Sequence, residues 1–389
     1  MNFEFATATR IIFGPGAING IAQAAGCKGK KVLLTSGATE EIQGKLVELL
    51  HTAECQVTIY PVTQEPELKG ISTGVDLARE AGCELVIGLG GGSALDTGKA
   101  IAALAGNPGD VLDYLEVVGR GRPLKTHGLP FVAVPTTAGT GSEVTSNAVL
   151  SVPLPSLPDT HVKVSLRSPM MLARLAIVDP ELTYQLPQNI TASTGMDALT
   201  QVIEPYISNK ANPLTDALCL EGIRRAARSL RQVCEPGIFE DARQDMAVVS
   251  LFGGLALANA KLGAVHGCAG VIGGRYSAPH GVICARLLPV CTKTNVHALQ
   301  SRQPGHKALE RYADIARLVT NNPAASLDDL VEWLETLVED LAIPRFTQLG
   351  MRLDELDEVA DQSAKASSMQ GNPIKLEPSE LREILLQTL

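Results

Sequence analysis

Short apolar runs alternate with amphipathic stretches over the first half of the chain. The runs are rich in β-branched residues and have few polar interruptions, which is typical of strands buried on both faces. We predict strands at residues 31–35, 56–61, 85–89, 131–135 and 176–179. The segments between them, such as residues 45–50 and 74–81, place apolar residues at helical spacing. Strands separated by helices predict a parallel sheet with helices on both of its faces.

Beyond about residue 186 this strand pattern fades and longer helical patterns follow. Helices are predicted at residues 190–208, 213–234, 238–265 and 326–341. We therefore predict an α/β domain over residues 1–185 and an all-α domain over residues 186–389. Within the first domain, a proline-containing surface loop is predicted at residues 153–159.

The length and charge of the chain narrow the class of protein. At 389 residues it exceeds what a single hydrophobic core usually serves, which agrees with two domains. A net charge of −9 argues against binding to nucleic acid and against attraction to anionic membranes. No apolar run reaches the roughly 20 residues that span a bilayer, and the first residues lack the pattern of a signal peptide. We expect a cytoplasmic protein.

Eight cysteines are scattered along the chain, and none forms a Cys-x-x-Cys pair. In a chain of this length we interpret them as reduced, mostly buried thiols and not as a disulfide framework. Cys268 and Cys284 lie close in sequence to two histidines. A cysteine can bind a metal ion, but we interpret both residues as small buried side chains that fill space.

A glycine-rich turn joins the third predicted strand to a helical pattern. It contains Gly90, Gly91, Gly92 and Ser93. Glycines let backbone N–H groups approach a diphosphate, and the start of the helix adds a favourable dipole. Asp96 would either cap this helix or hydrogen-bond a ribose or nicotinamide group. The spacing differs from the Rossmann Gly-x-Gly-x-x-Gly pattern, but the strand, the glycines and the helix together predict a nucleotide phosphate site.

A second polar loop follows the strand at residues 131–135 and contains Thr136, Thr137 and Thr140. Its hydroxyl and N–H groups could line the other side of a dinucleotide. Taken alone, the loop is more typical of an ordinary Ser/Thr turn and helix cap.

Candidate metal ligands occur in two segments of the helical half. Asp197 and Gln201 are four residues apart, so their side chains lie on one face of a helix. His266 and His280 lie in a glycine-rich segment further along. Two imidazoles with oxygen donors suit a borderline divalent ion such as Zn²⁺ or Fe²⁺, which can act as a Lewis acid on a small alcohol or carbonyl oxygen.

With these segments in view, the chain resembles the iron-containing (group III) alcohol dehydrogenases over nearly its whole length. The motifs that carry the resemblance are GGGSALD at residues 90–96, PTTAGTGSE at 135–143, VDPEL at 178–182, GMDAL at 195–199 and the spacing of His266 and His280. The resemblance implies an N-terminal dinucleotide-binding domain, a helical metal-binding and substrate domain, and a homodimer.

The resemblance also implies a role for individual residues. Gly91, Gly92, Ser93 and Asp96 would hold the diphosphate and nearby cofactor groups. Thr136, Thr137 and Thr140 would line the cofactor cleft, and Lys163 would reach the nicotinamide ribose. Asp197, Gln201, His266 and His280 occupy the four metal-ligand positions, and Asp197, His266 and His280 are the predicted catalytic set. Asn147 and Asn259 fall where family members line the substrate pocket.

Three positions depart from the pattern or modify it. Gln201 stands where the family has a histidine ligand; a neutral amide oxygen is a weaker donor, so three residues could hold the ion with Gln201 distant or bridged by water. Gly270 replaces a histidine often found four residues after the third ligand. Gly37 stands where NAD-preferring members carry an aspartate that repels a 2′-phosphate, which favours NADP over NAD.

The resulting hypothesis is reversible hydride transfer between NAD(P)H and a small metal-bound aldehyde or ketone. Two alternatives remain open on the same architecture. One is a metal-independent reductase related to the maleylacetate reductases, which share a Pro-His ending like that of His280. The other is a nucleotide-binding protein without catalytic activity. A lyase of the dehydroquinate synthase type would need a basic cluster for a substrate phosphate, which the sequence does not place near the ligands.

Overall fold

The computed structural model describes residues 2–154, 157–276 and 278–389. Its contacts divide the chain into two compact units. One unit comprises residues 6–185, and the other comprises residues 186–389 together with residues 2–5.

The described part of the first unit is built on a six-stranded parallel sheet with the order β1-β8-β5-β4-β2-β3. In chain order its elements are β1 (Ile11–Phe13), α1 (Ile21–Ala25), β2 (Lys31–Ser36), α2 (Glu40–Thr52), β3 (Gln56–Pro61), α3 (Leu68–Glu80), β4 (Leu85–Gly90), α4 (Gly92–Ala105), β5 (Phe131–Pro135), β6 (Asn147–Leu154), β7 (Leu157–Arg167) and β8 (Leu175–Val178). The five predicted strands are all present, and the predicted fold class is confirmed.

Both faces of this sheet are buried, as the apolar runs predict. On one face Leu34 and Ile87 join a core with Leu46 and Leu50 of α2, and all four side chains are completely buried. On the other face α4 approaches the strands closely. A Cβ added to Gly98 of α4 would lie 2.6 Å from the Thr35 hydroxyl oxygen, so only glycine fits there. Close packing on both faces explains why these strands are continuously apolar.

The sheet changes its direction of winding at β2. This strand pairs with β3 on one side and with β4 on the other, so the chain crosses over β2 between them. In an open parallel sheet a ligand binds outside the carboxyl ends of the strands at such a switch point. Gly37 follows β2 there, and the glycine turn follows β4.

An antiparallel hairpin, β6 with β7, was not predicted. The residues that we expected to form a loop, 153–159, belong to it, apart from residues 155 and 156, which lie outside the described residues. The prolines in this segment misled the prediction because they interrupt an otherwise alternating pattern.

The described residues of the second unit form helices and connecting loops, with no strand among them. Its α-helices are α5 (Gln188–Ile207), α6 (Pro213–Val233), α7 (Glu240–Ala260), α8 (Ala264–Arg275), α9 (His280–Arg302), α10 (Lys307–Thr320), α11 (Leu327–Asp340), α12 (Leu356–Ala364) and α13 (Pro378–Gln387). Within the described residues no single helix is long and apolar enough to cross a membrane, although α7 and α8 meet that test of length and composition as a bent pair.

The single helix predicted at residues 238–265 is wrong. The chain leaves α7 at Lys261, whose φ is 61°, and α8 begins after Gly263, so the two helices meet at 100°. A positive φ is unfavourable for a lysine and ends the hydrogen-bond ladder of a right-handed helix. The apolar periodicity continues through the break, which is why the pattern alone did not reveal it. The turn gives His266 a position in the first turn of a new helix.

Candidate metal centre and cofactor loops

Four side chains that can bind a metal ion lie together in the helical unit. Asp197 on α5, His266 on α8, and His280 and Cys284 on α9 each present one ligand atom, and these atoms all lie within 4.8 Å of one another. Asp197 Oδ1 is 3.3 Å from His266 Nε2 and 4.0 Å from His280 Nε2. Three of the four residues predicted as ligands therefore lie together, with a cysteine in addition. The fourth, Gln201, is buried one turn after Asp197 on α5.

Helix starts and close helix packing create this arrangement. His280 is the first residue of α9 and follows Pro279, whose fixed φ suits the entry to a helix. A Cβ on Gly281 would lie 2.2 Å from the Ser193 carbonyl oxygen, so this glycine lets α9 approach α5. Cys284 then lies one turn after His280, on the same face of α9.

Glu204 holds His266 in place, a role that sequence reasoning missed. Its carboxylate lies 2.6 Å from His266 Nδ1 and accepts a hydrogen bond of 2.7 Å from the backbone N–H of Val265. A histidine ligand usually donates its second ring N–H to such a carboxylate, which leaves the other nitrogen free for the metal. The available signal was helical spacing, because Glu204 follows Asp197 and Gln201 on one face of α5.

The electrostatics of the cluster favour a cation. Burial acts to lower the pKa of His266, but the negative charges of Cys284, Asp197 and Glu204 outweigh it and raise that pKa well above its ordinary value. Burial acts to raise the pKa of the Cys284 thiol, but His280 and His266 outweigh it and lower that pKa. Each shift comes from neighbours of opposite charge: anionic partners favour the protonated imidazole, and the imidazoles favour the thiolate.

Two buried oxygens test whether the residues fit a metal ion. Asp197 is 2% exposed and Gln201 is 3% exposed. Asp197 Oδ1 and Gln201 Oε1 have no hydrogen-bond partner among the described residues. An unpartnered buried polar atom costs about 1–3 kcal/mol, and a divalent ion would satisfy the carboxylate oxygen. The donor set of carboxylate, imidazole and thiol fits such an ion.

In the sheet unit, the structure brings the predicted cofactor loops together at the switch point. The N–H of Gly37 donates to the Leu89 carbonyl oxygen at 2.9 Å, and the N–H of Thr136 donates to the Gly90 carbonyl oxygen at 2.9 Å. Gly90 has a φ of 145°, which an L side chain rarely adopts, so the turn after β4 requires glycine. The loops after β2, β4 and β5 therefore adjoin one another.

The other predicted residues of these loops lie in the same place. Cβ atoms on Gly91 and Gly92 would contact Thr137 at 3.4 Å and Thr140 at 2.8 Å, respectively. Ser93 lies in the first turn of α4, just after Gly92. The absence of Cβ atoms on the glycines lets the polar loop lie directly against the start of α4.

Asp96 does not cap α4, so that alternative is wrong. The capping position is Gly91, and no side chain bonds the helix start. Asp96 accepts hydrogen bonds from the Ser142 hydroxyl and, at 2.8 Å, from the Val149 N–H. Lys99 Nζ lies 3.5 Å from the same carboxylate. Asp96 thus ties α4 to the polar loop and to β6.

Lys99 and Glu143 are two buried ionisable side chains beside this loop. Lys99 is 1% exposed and donates to Ser142, Thr145 and the Asn147 carbonyl oxygen at 2.7–3.0 Å. Glu143 is 2% exposed. Burial raises the pKa of the Glu143 carboxyl to about 7, against the opposing effects of its own backbone N–H and of Lys99.

We expect Glu143→Gln to remove one component of the pH dependence of stability. A carboxyl whose folded pKa is raised from 4.5 to about 7 contributes stability that is complete below pH 4.5 and is lost as the pH rises through 7. Between pH 5 and pH 8, the free energy of unfolding of the parent protein should therefore fall by about 2 kcal/mol more than that of Glu143→Gln. Thermal unfolding of both proteins across this range measures it.

Glu48→Gln provides the matched control, because it makes the same change of a carboxyl to an amide at an exposed position. Titrating groups that the proteins share cancel in the comparison. Profiles for parent and Glu143→Gln that run parallel from pH 5 to pH 8 would contradict the prediction.

The remaining predicted residues occupy separate places. Lys163 lies on β7 and pairs with Glu65 at 2.5 Å. Asn147 begins β6 in the sheet unit, whereas Asn259 lies in the last turn of α7 and donates to the Leu255 carbonyl oxygen at 2.8 Å. At Gly270 on α8, an added Cβ would meet no atom of the described residues within 4 Å.

Comparison with known proteins agrees with the parallel sheet and the helical donor cluster. The model of the iron-containing alcohol dehydrogenases matches residues 8–180, and that of the C-terminal part of the Fe-containing alcohol dehydrogenase family matches residues 191–389. The chain belongs to the iron-containing alcohol dehydrogenase family, which confirms the resemblance found in the sequence.

Relatives are similar over the full length of the chain. A 1,3-propanediol dehydrogenase from Citrobacter freundii is 36% identical over 400 residues, covering 99% of this chain and 98% of that protein. The crystal structure of a 1,3-propanediol oxidoreductase has a TM-score of 0.89 and 34% identity, with 100% of both chains covered. The crystal structure of a sulfoacetaldehyde reductase from Bifidobacterium kashiwanohense, in complex with NAD⁺, has a TM-score of 0.86 and 26% identity. The match covers 100% of this chain and 99% of that one.

Proposed function

We propose that this protein reduces a small aldehyde or ketone with NAD(P)H, and oxidises the corresponding alcohol in reverse, with the help of a bound divalent ion. The family supports an alcohol dehydrogenase activity. The observation that carries the metal dependence is the cluster of Asp197, His266 and His280, in which a buried carboxylate oxygen has no hydrogen-bond partner among the described residues.

Each residue of the cluster has a distinct part in the proposal. Asp197, His266 and His280 hold the ion, either Fe²⁺ or Zn²⁺, and Glu204 orients the His266 ring. Bound there, such an ion supplies Lewis-acid polarisation of the substrate oxygen.

We assign cofactor binding to the loops of the sheet unit. Gly91, Gly92 and Ser93 hold the diphosphate at the start of α4, where backbone N–H groups and the helix dipole favour an anion. Thr136, Thr137 and Thr140 form the neighbouring wall. Asp96 acts by fixing these loops, and Lys163 is assigned to the nicotinamide ribose. Residues 1–185 would then be the cofactor domain, and residues 186–389 the metal and substrate domain, to which Asn259 belongs.

NADP is the preferred cofactor in this proposal, with NAD as the alternative. Gly37, which follows β2 directly, has no side chain, and Ser36 at the end of β2 is neutral. No carboxylate therefore stands at either position to repel a 2′-phosphate.

Placing a carboxylate at this position should reverse the preference. We expect Gly37→Asp to lower kcat/KM for NADPH about tenfold or more relative to Gly37→Asn. A tenfold loss corresponds to about 1.4 kcal/mol of repulsion between the carboxylate and the 2′-phosphate. The kcat/KM for NADH, which has no 2′-phosphate, should change little. Asparagine is the matched control because it has the same shape. A Cβ at Gly37 would lie 3.1 Å from the Val62 carbonyl oxygen, and both variants share that crowding. Equal losses of kcat/KM in Gly37→Asp and Gly37→Asn, for NADPH and NADH alike, would contradict the placement of Gly37 beside the 2′-phosphate.

The decisive experiment measures metal and turnover in one sample. Purified protein should contain close to one Fe or Zn per chain, oxidise NADPH or NADH with small aldehydes, and lose activity to a chelator and regain it with the ion. Activity that persists without metal would favour the maleylacetate type of reductase. Cofactor binding without turnover across an aldehyde and ketone panel would favour the non-catalytic alternative.

A reduced compartment and a homodimer complete the proposal. All eight cysteines are free thiols, which suits the cytoplasm. The homodimer rests on the family resemblance, and sedimentation of the purified protein tests it.

A further inference from the structure

We propose that the Cys284 thiolate is the fourth protein ligand of the metal ion and replaces Gln201, so that the site prefers zinc to ferrous iron. The inference rests on the proposed metal centre. From the sequence alone, we interpreted Cys284 as a small buried side chain that fills space.

The position of Cys284 carries the argument. Its sulfur lies 3.5 Å from His280 Nε2 and 3.9 Å from His266 Nε2. It belongs to the group of ligand atoms within 4.8 Å of one another, and the side chain is completely buried. A thiol that only fills space would face apolar groups, whereas this one faces two imidazoles.

The oxygen of Asp197 supplies an independent indication that these atoms surround a ligand. Asp197 Oδ1 is buried, has no hydrogen-bond partner among the described residues, and belongs to the same group of atoms as the sulfur. His266 Nε2 is only 3.3 Å away but does not have hydrogen-bond geometry. The imidazole nitrogens, the carboxylate oxygen and the sulfur thus converge on one buried point. The carboxylate oxygen stays unpartnered there, although the sulfur adjoins both Nε2 atoms, as expected for donors arranged around a cation.

The chemistry of the donor set explains why Gln201 can be spared. A glutamine oxygen is neutral, while a thiolate adds a second negative charge beside Asp197 and is a strong ligand for zinc. Binding converts the Cys284 thiol and the free ion into a sulfur–metal bond and a released proton. Cys284, His266, His280 and Asp197 together give four donors, the usual number for zinc. The soft sulfur shifts the preference away from Fe²⁺.

Cobalt substitution reports directly on a sulfur ligand. Protein loaded with one Co²⁺ per chain should show thiolate-to-cobalt charge-transfer absorption in the near ultraviolet, and Cys284→Ser should lose it. The same variant should bind Zn²⁺ more than about 100-fold more weakly, because loss of an outer partner alone costs about 10–100-fold. Gln201→Ala should keep the absorption and most of the zinc affinity.

Cys268 is the matched control. It lies on α8 two residues from His266, is completely buried, and does not belong to the ligand cluster. Cys268→Ser should therefore keep both the absorption and the zinc affinity. Far-ultraviolet circular dichroism shows whether each variant folds, and a double variant, Gln201→His with Cys284→Ala, should bind Co²⁺ without the absorption.

The outcomes separate the two proposals. Parent protein that binds one Co²⁺ without charge-transfer absorption, or a folded Cys284→Ser that binds zinc as tightly as the parent, overturns the cysteine ligand and leaves the metal centre standing. Failure of the parent and of every variant to bind Co²⁺ or Zn²⁺ overturns the metal centre itself and the cysteine ligand with it.

Discussion

Replacing His266 with alanine should remove the bound metal ion and reduce turnover of a small aldehyde at least about 10²–10³-fold, the usual cost of losing one main stabiliser of developing oxyanion charge. His266 contacts a carboxylate on each side of its ring, because one ring nitrogen faces Asp197 and the other faces Glu204. Its loss leaves the Asp197 carboxylate and the Cys284 thiol with a single imidazole between them. Metal content by mass spectrometry and NADPH oxidation should fall together.

His297 provides the control for this variant. It lies exposed on α9, the helix that carries His280, and takes no part in the cluster. His297→Ala should retain the metal and the activity of the parent. A metal-depleted His266→Ala protein with undiminished activity would show that the cluster is not the catalytic centre.

The sequence predicted three members of the donor cluster but not their supporting neighbours, for a physical reason. His266, His280 and Asp197 are residue types with few structural uses in combination, so their joint spacing was informative. Glu204 and Cys284 are ordinary buried residues until the helices pack, because only the approach of α8 and α9 to α5 places them against the imidazoles. Tertiary contacts decide which of several polar or sulfur side chains faces a site.

The fold shows the same division between local and tertiary information. The apolar runs of β2, β4 and β5 identified the sheet because burial on both faces requires continuous apolar residues. The break between α7 and α8 escaped notice, since Lys261 adopts a positive φ that no composition rule indicates. Strand β1 is only three residues long, which is too short for a periodic pattern.

We expect Glu204→Gln to weaken zinc binding about 10–100-fold while the protein still folds, because the amide retains the shape of the carboxylate but not its charge. The carboxylate receives the N–H of Val265 and adjoins His266 Nδ1 at 2.6 Å. Without its charge, the imidazole becomes a weaker donor to the metal, and the ring is held in place less firmly. Competition with a chromophoric zinc chelator measures the change in affinity.

A second buried carboxylate of the helical unit separates this effect from general loss of stability. Asp245 is 6% exposed and is held by Arg225 at 2.7 Å and Arg228 at 2.6 Å, away from the cluster. Removing its charge leaves those arginines poorly paired, so Asp245→Asn should lower the unfolding temperature and leave zinc affinity unchanged. Equal losses of zinc affinity in Glu204→Gln and Asp245→Asn would show that Glu204 acts only by stabilising the fold. The two variants each remove one negative charge from a buried carboxylate on a helix. A loss of zinc affinity confined to Glu204→Gln would therefore show that the charge of Glu204 acts on the metal through His266.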